Sequence, residues 1–171
     1  KFIPEEVCYK EHPEYFALRG DKRLPTQLCL TNEKVYKIVK DSVTSLFKQF
    51  PKASVISVSS NDNTQYCTCS NCKKIDDSEG GPSGTMIQFV NKIAANFPDK
   101  TISTLAYQYT RKPSKTKPLP NVLITLCSIE CDRSAPIAAN CADFTEDLKG
   151  WKKITENIRI WDYTTQFTNF L

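Results

Sequence analysis

Cys67, Cys69 and Cys72 place three thiols on one short stretch of chain. A bridge between Cys67 and Cys69 would be strained, whereas three thiolates and one further ligand suit a tetrahedral zinc. Cys127, Cys131 or Cys141 could supply the fourth sulfur. The rival arrangement is disulfides, for instance Cys131 with Cys141, and the two remain equally open. Neither leaves an open coordination position beside a base. Such a zinc would therefore be structural, and no cofactor is expected for catalysis. Carboxyl groups offer acid–base chemistry instead. Asp62, Glu130 and Asp162 each follow an apolar run, and Asn61, Tyr107, Tyr109, Trp161 and Tyr163 accompany them. His12 is the single histidine and sits beside Pro13 in a polar turn. A packing or surface role suits it better than a Ser-His-Asp site.

The elements that must position these residues alternate. Thr26 to Leu30 reads as a short strand. Asn32 is placed to cap a helix whose apolar face is Val35, Ile38, Val39, Val43, Leu46, Phe47 and Phe50, stopped by Pro51. Val55 to Ser59 reads as a buried strand ending in Ser60-Asn61-Asp62-Asn63. Residues 64–84 read as a loop. A second helix uses Met86, Phe89, Val90, Ile93, Ala94 and Phe97. Strands follow at Thr101 to Thr110 and Asn121 to Ile129, separated by a proline- and lysine-rich connector. Asp143 and Glu146 look like a capping pair for a third helix, and Ile158 to Tyr163 is a last strand. This β-α order predicts an α/β fold with a parallel sheet. A glycine-rich phosphate turn after the first strand is absent, which disfavours a doubly wound nucleotide-binding sheet. Polar residues gathered at strand ends point to a (β/α)8, TIM-barrel-like fold. A whole barrel needs about 250 residues, so residues 1–171 are expected to be a single partial domain, a central-to-late portion of the barrel.

Composition bounds the partners. The chain has 171 residues, 40% hydrophobic and 25% charged, with a net charge of +4. The basic excess is dispersed and no reader motif is present, so nucleic acid is not expected. No apolar run is long enough for a membrane span. Lys1-Phe2-Ile3-Pro4 carries no signal peptide, which a mature or excised segment would also lack. An incomplete barrel would expose apolar surface and self-associate.

Several segments carry a family resemblance. They are His12-Pro13-Glu14-Tyr15-Phe16-Ala17-Leu18, Gln27-Leu28-Cys29-Leu30, Val58-Ser59-Ser60-Asn61-Asp62-Asn63 and Tyr66-Cys67-Thr68-Cys69-Ser70-Asn71-Cys72. Further along come Leu105-Ala106-Tyr107-Gln108-Tyr109-Thr110, Leu126-Cys127-Ser128-Ile129-Glu130-Cys131 and Ile160-Trp161-Asp162-Tyr163-Thr164-Thr165. In this order they resemble a bacterial family first catalogued as a domain of unknown function. That family is now grouped with glycoside hydrolases of the endo-β-N-acetylglucosaminidase type, and is distantly similar to α-glucuronidases and hexosaminidases.

The resemblance implies a hydrolase of complex N-glycans, or a fragment of one, in a bacterial protein that is secreted, periplasmic or on the cell surface. Its partner would be a carbohydrate. Asp62 and Glu130 are then the expected catalytic carboxyl pair, with the apolar run before Glu130 raising its pKa toward an acid's role. Asn61, Tyr107, Tyr109, Trp161, Asp162 and Tyr163 would line a sugar subsite, aromatic faces stacking on pyranose rings. Tyr107 and Tyr109 are expected on one face. This chain alone could be inactive. The alternative is a non-catalytic, cysteine-stapled module that binds glycan or protein.

Overall fold

The computed structural model describes residues 1–163; Thr164 and Thr165 of the last motif lie outside the described residues. A short helix α1 (Glu5–Cys8) leads into a hairpin of β1 (Phe16–Arg19) and β2 (Lys22–Leu28). Helix α2 (Glu33–Gln49) precedes β3 (Val55–Ser57), and helices α3 (Ser70–Glu79) and α4 (Ser83–Ala94) precede β4 (Thr101–Ala106). Strand β5 (Val122–Cys127), helices α5 (Ile137–Asn140) and α6 (Ala142–Lys152) and strand β6 (Ile158–Trp161) complete the order.

Strands β3, β4, β5 and β6 form one parallel sheet in chain order. The described residues thus give a mixed α/β architecture with an open four-stranded parallel sheet. Residues 26–30 depart from the expected order. Lys22–Leu28 pairs antiparallel with β1 in a separate two-stranded sheet, because the turn at Gly20, at φ 57°, folds the chain straight back.

Helix α2 forms where expected. The Asn32 side chain accepts from the amides of Lys34 and Val35, which closes its first turn. Val35, Val39, Val43 and Phe47 are its buried residues. Burying such a side chain stabilises by roughly 1.5–3 kcal/mol. That outweighs the helix-propensity penalty of a valine, about 0.5 kcal/mol. Met86, Phe89, Val90 and Ile93 of α4 join the same core as Ile102 and Ala106 of β4 and Val122, Ile124 and Leu126 of β5. Trp151 of α6 is buried there, and its indole N–H donates to the Arg111 carbonyl at 2.8 Å. The expected capping pair before α6 does not form: Cys141 is the N-cap residue, and no side chain caps that helix.

The stretch read as loop, 64–84, contains α3. Its sequence shows almost no apolar stripe; Cys72 is its one buried residue. Gly80, at φ 87°, ends it in the left-handed conformation that glycine tolerates.

Candidate functional site

The even positions of β4 and β5 enter the helix-packed core, so the odd positions point to the other face. There the C-terminal strand ends enclose a cavity of about 310 Å3. Ser60 and Asp62 line it from beyond β3, Leu105 and Tyr107 from β4, Cys127 and Ile129 from β5, and Trp161 and Tyr163 from β6. The register that pairs Cys127 with Trp161 sets these walls at one level. Trp161 is 53% exposed and leaves its ring available to a ligand.

Asp62 is fixed by two donors on one oxygen. The Tyr107 hydroxyl donates to Oδ1 at 3.0 Å and the Gln108 amide at 3.2 Å. Burial, together with the Asp62 carboxylate, pushes the Tyr107 phenol up, so it stays a donor. Burial likewise pushes the Tyr163 phenol and the Cys127 thiol up. Gln108 adopts φ 49°, and among the described residues its Oε1 is buried without a partner. A left-handed backbone and an unpaired buried acceptor together mark a strained residue that holds Asp62.

Glu130 lies on the turn after β5 and acts electrostatically on Tyr107 and Tyr163. It is not enclosed by the apolar run that precedes it: its side chain is 42% exposed and stands 3.7 Å from Arg111. The chain turns outward after Cys127 and takes Ile129 and Glu130 to the surface. Arg111 is mostly buried and also holds Asp147 of α6 at 2.6 Å. Asp162 accepts from Ser128 Oγ at 2.8 Å and from the Tyr163 amide at 2.9 Å; Ser128 first, and Arg133 more weakly, hold its carboxyl below the usual range.

Tyr107 and Tyr109 do not share a face. Strand β4 stops at Ala106 and a 3-10 turn, Gln108–Thr110, breaks the alternation. Tyr109 instead stacks on Tyr66 with ring centres 4.9 Å apart. With Asn61 it lines a second cavity of about 250 Å3, beside Gln27 and Met86. The expected sugar contacts are therefore split between two cavities. His12 stacks on Tyr15 at 4.6 Å, a packing role.

The third constellation is sulfur. Cys29, Cys67, Cys69 and Cys72 bring their Sγ atoms within 4.8 Å of one another, a group that could hold a metal. The fourth member is Cys29, at the end of the hairpin, and not Cys127, Cys131 or Cys141. Cys131 and Cys141 are joined in a disulfide, with Cα atoms 5.3 Å apart, and Cys127 lies in the wall of the first cavity.

The family model of a domain of unknown function, DUF4838, matches residues 1–171. The chain belongs to this family. Comparison with curated proteins and with solved structures finds no match to either. In this DUF4838 chain the residues that motif reading missed are Gln108, Ser128, Arg111 and Cys29. Gln108 and Ser128 stand inside quoted motifs but carry no charge or ring. Cys29 is far from the other cysteines in sequence, and only the hairpin brings it to them.

Among the described residues no helix is long and apolar enough to cross a membrane.

Proposed function

We propose that this chain is the middle and later part of a (β/α)8 glycoside hydrolase that cleaves β-N-acetylglucosaminides of complex N-glycans. The observation that carries the reading is the cavity at the C-terminal strand ends. It has a carboxylate held on one wall by Tyr107 and Gln108, and exposed aromatic surface at Trp161 opposite. The family resemblance set out above supplies the reaction class.

In this reading Trp161 and Tyr163 stack on a sugar ring, and Asp62 orients or stabilises the charge that builds at the anomeric carbon. Glu130, at the rim, protonates the leaving oxygen. The four-cysteine cluster is read as a structural metal site, with zinc as the ion, outside the reaction. Export from a bacterial cell is supported by the Cys131–Cys141 disulfide.

One observation favours a second reading, a glycan-binding module without turnover: Glu130 is exposed and already faces Arg111. The experiment separates the two. Glycan release and aryl-glycoside hydrolysis are measured for this chain and for the longer reading frame, as wild type, Asp62→Asn and Glu130→Gln. Removal of an essential carboxyl lowers the rate by about 10^2 to 10^4-fold. Glu130→Gln recovers on an aryl glycoside, whose leaving group needs no proton. Near-normal rates in both variants overturn the carboxyl assignment. Binding of N-glycan without release by the wild type favours the module.

A further inference from the structure

We propose that Cys29, Cys67, Cys69 and Cys72 bind one Zn2+ as a tetrathiolate site, and that this ion fastens the end of β2 to the loop that carries Asp62. The first part rests on the sulfur geometry and the second on the hydrogen bonds around it. Neither depends on the glycosidase reading.

The four Sγ atoms lie within 4.8 Å of one another. Cys29 and Cys69 stand 3.7 Å apart, sulfur to sulfur. A tetrahedron with Zn–S bonds of about 2.3 Å has edges of about 3.8 Å, so the Cys29–Cys69 edge already matches it and the remaining pairs, all within 4.8 Å, would need to contract by at most about 1 Å. Cys29, Cys67 and Cys72 are buried and Cys69 is partly buried, so the closed four-sulfur set leaves no position for substrate. A donor set of thiolates alone is soft, which excludes magnesium and calcium.

The surroundings suit negative sulfur. The Leu18 amide donates to Cys67 Sγ at 3.3 Å. The Thr31 hydroxyl lies 3.3 Å from Cys72, 3.6 Å from Cys29 and 3.8 Å from Cys69. The Arg23 guanidinium stands beside Cys29, with Cys67 and Cys69 in electrostatic reach. Such outer donors orient ligands and share their charge.

The ion would join two segments that share no sheet. Residues 58–69 form no helix or strand, so their position comes from side-chain ties. Gln27, two residues before Cys29, donates to the carbonyls of Asn61 and Asn63 at 2.8 and 2.9 Å and accepts from the Asn61 amide at 2.9 Å. Asn61 and Asn63 in turn donate to the Thr26 carbonyl. At the other end Thr68 donates twice to the Leu18 carbonyl, from its amide and its hydroxyl. Gln27 thus holds both neighbours of Asp62, and the sulfur cluster holds the same loop further on, from Cys67. The metal site is therefore the far anchor of the loop that presents Asp62 to the cavity.

The test begins with metal analysis of the purified chain after growth in zinc-supplemented medium, and about one tightly held Zn2+ per chain is expected. Cobalt exchanged into the site should show the intense visible bands of tetrahedral thiolate coordination. Cys29→Ser should lose the ion and Cys127→Ser should keep it. Hydrogen exchange is then compared before and after removal of the ion by chelator. Amides of residues 59–72 should exchange about tenfold faster or more, while β4 and β5 keep their protection. Gln27→Ala should keep the ion and loosen only residues 60–64, which guards against a variant that fails to fold. Absence of bound metal, iron in its place, or a Cys29–Cys69 disulfide found by mass spectrometry overturns the zinc assignment. Bound zinc with unchanged exchange over 59–72 overturns the clamp. Catalytic assays enter neither arm, so failure here is separate from failure of the glycosidase reading.

Discussion

Asp162 carries its charge because Ser128 and the Tyr163 amide both donate to it. Its carboxyl is held below the usual aspartate range, so the folded chain favours the ionised form. The sign follows: the contribution to stability is complete above the usual pKa of about 3.9 and is lost as pH falls through the lower folded value. Ser128→Ala removes the largest cause, so the Asp162 midpoint should rise toward the usual value in a carboxyl 13C titration. An unchanged midpoint would show that Ser128 does not set it. At this scale the sequence was readable in part. Asp62, Tyr107, Trp161 and Tyr163, at or just beyond strand ends, line one cavity, whereas Glu130 is carried to the surface. Tyr109 does not line it, because the turn at Gln108 has a backbone twist that no periodicity announces.

Helices α3 and α4 meet at a close contact with a clear consequence. A methyl group on Gly84 would run into the Cβ and Cγ of Glu79. Glu79 cannot easily yield, since its carboxylate accepts from the Thr116 amide at 2.7 Å, the Thr116 hydroxyl at 2.5 Å and the Gln88 amide at 3.0 Å. In open space, Gly→Ala inside a helix gains up to about 1 kcal/mol. Here overpacking should win, with Gly84→Ala costing about 1–3 kcal/mol in denaturant unfolding. A stabilised variant would mean that α3 moves freely against α4. Helix α2 was legible because its valines recur on one buried stripe and Asn32 caps it. Helix α3 was not, because its ten residues bury only Cys72 and it is held by tertiary contact. Strand β2 was assigned to the wrong sheet, since a short apolar run says nothing about its partner's direction.

Across the molecule, β3 and β6 are the edge strands of the parallel sheet among the described residues. Val55, Ile160 and Trp161 are exposed on them. Open apolar edges template pairing with another chain, so this chain should elute earlier from a sizing column as its concentration rises. Ile160→Lys should weaken that association, and a monomer at every concentration would count against the partial-barrel reading. The parallel order was visible in the alternation of β and α segments. Closure into a barrel is not something alternation can decide, because it depends on how many strands share the sheet.

The chain carries a finished disulfide at Cys131–Cys141 and, elsewhere, four thiols close enough to bridge one another. Oxidation serves the first pair and would ruin the second group as a metal site. If the four thiols bind zinc as proposed, maturation in an oxidising medium becomes a race in which metal must arrive before oxidant. Refolding yield should follow the order of addition, high when zinc precedes the oxidant and low when it comes after.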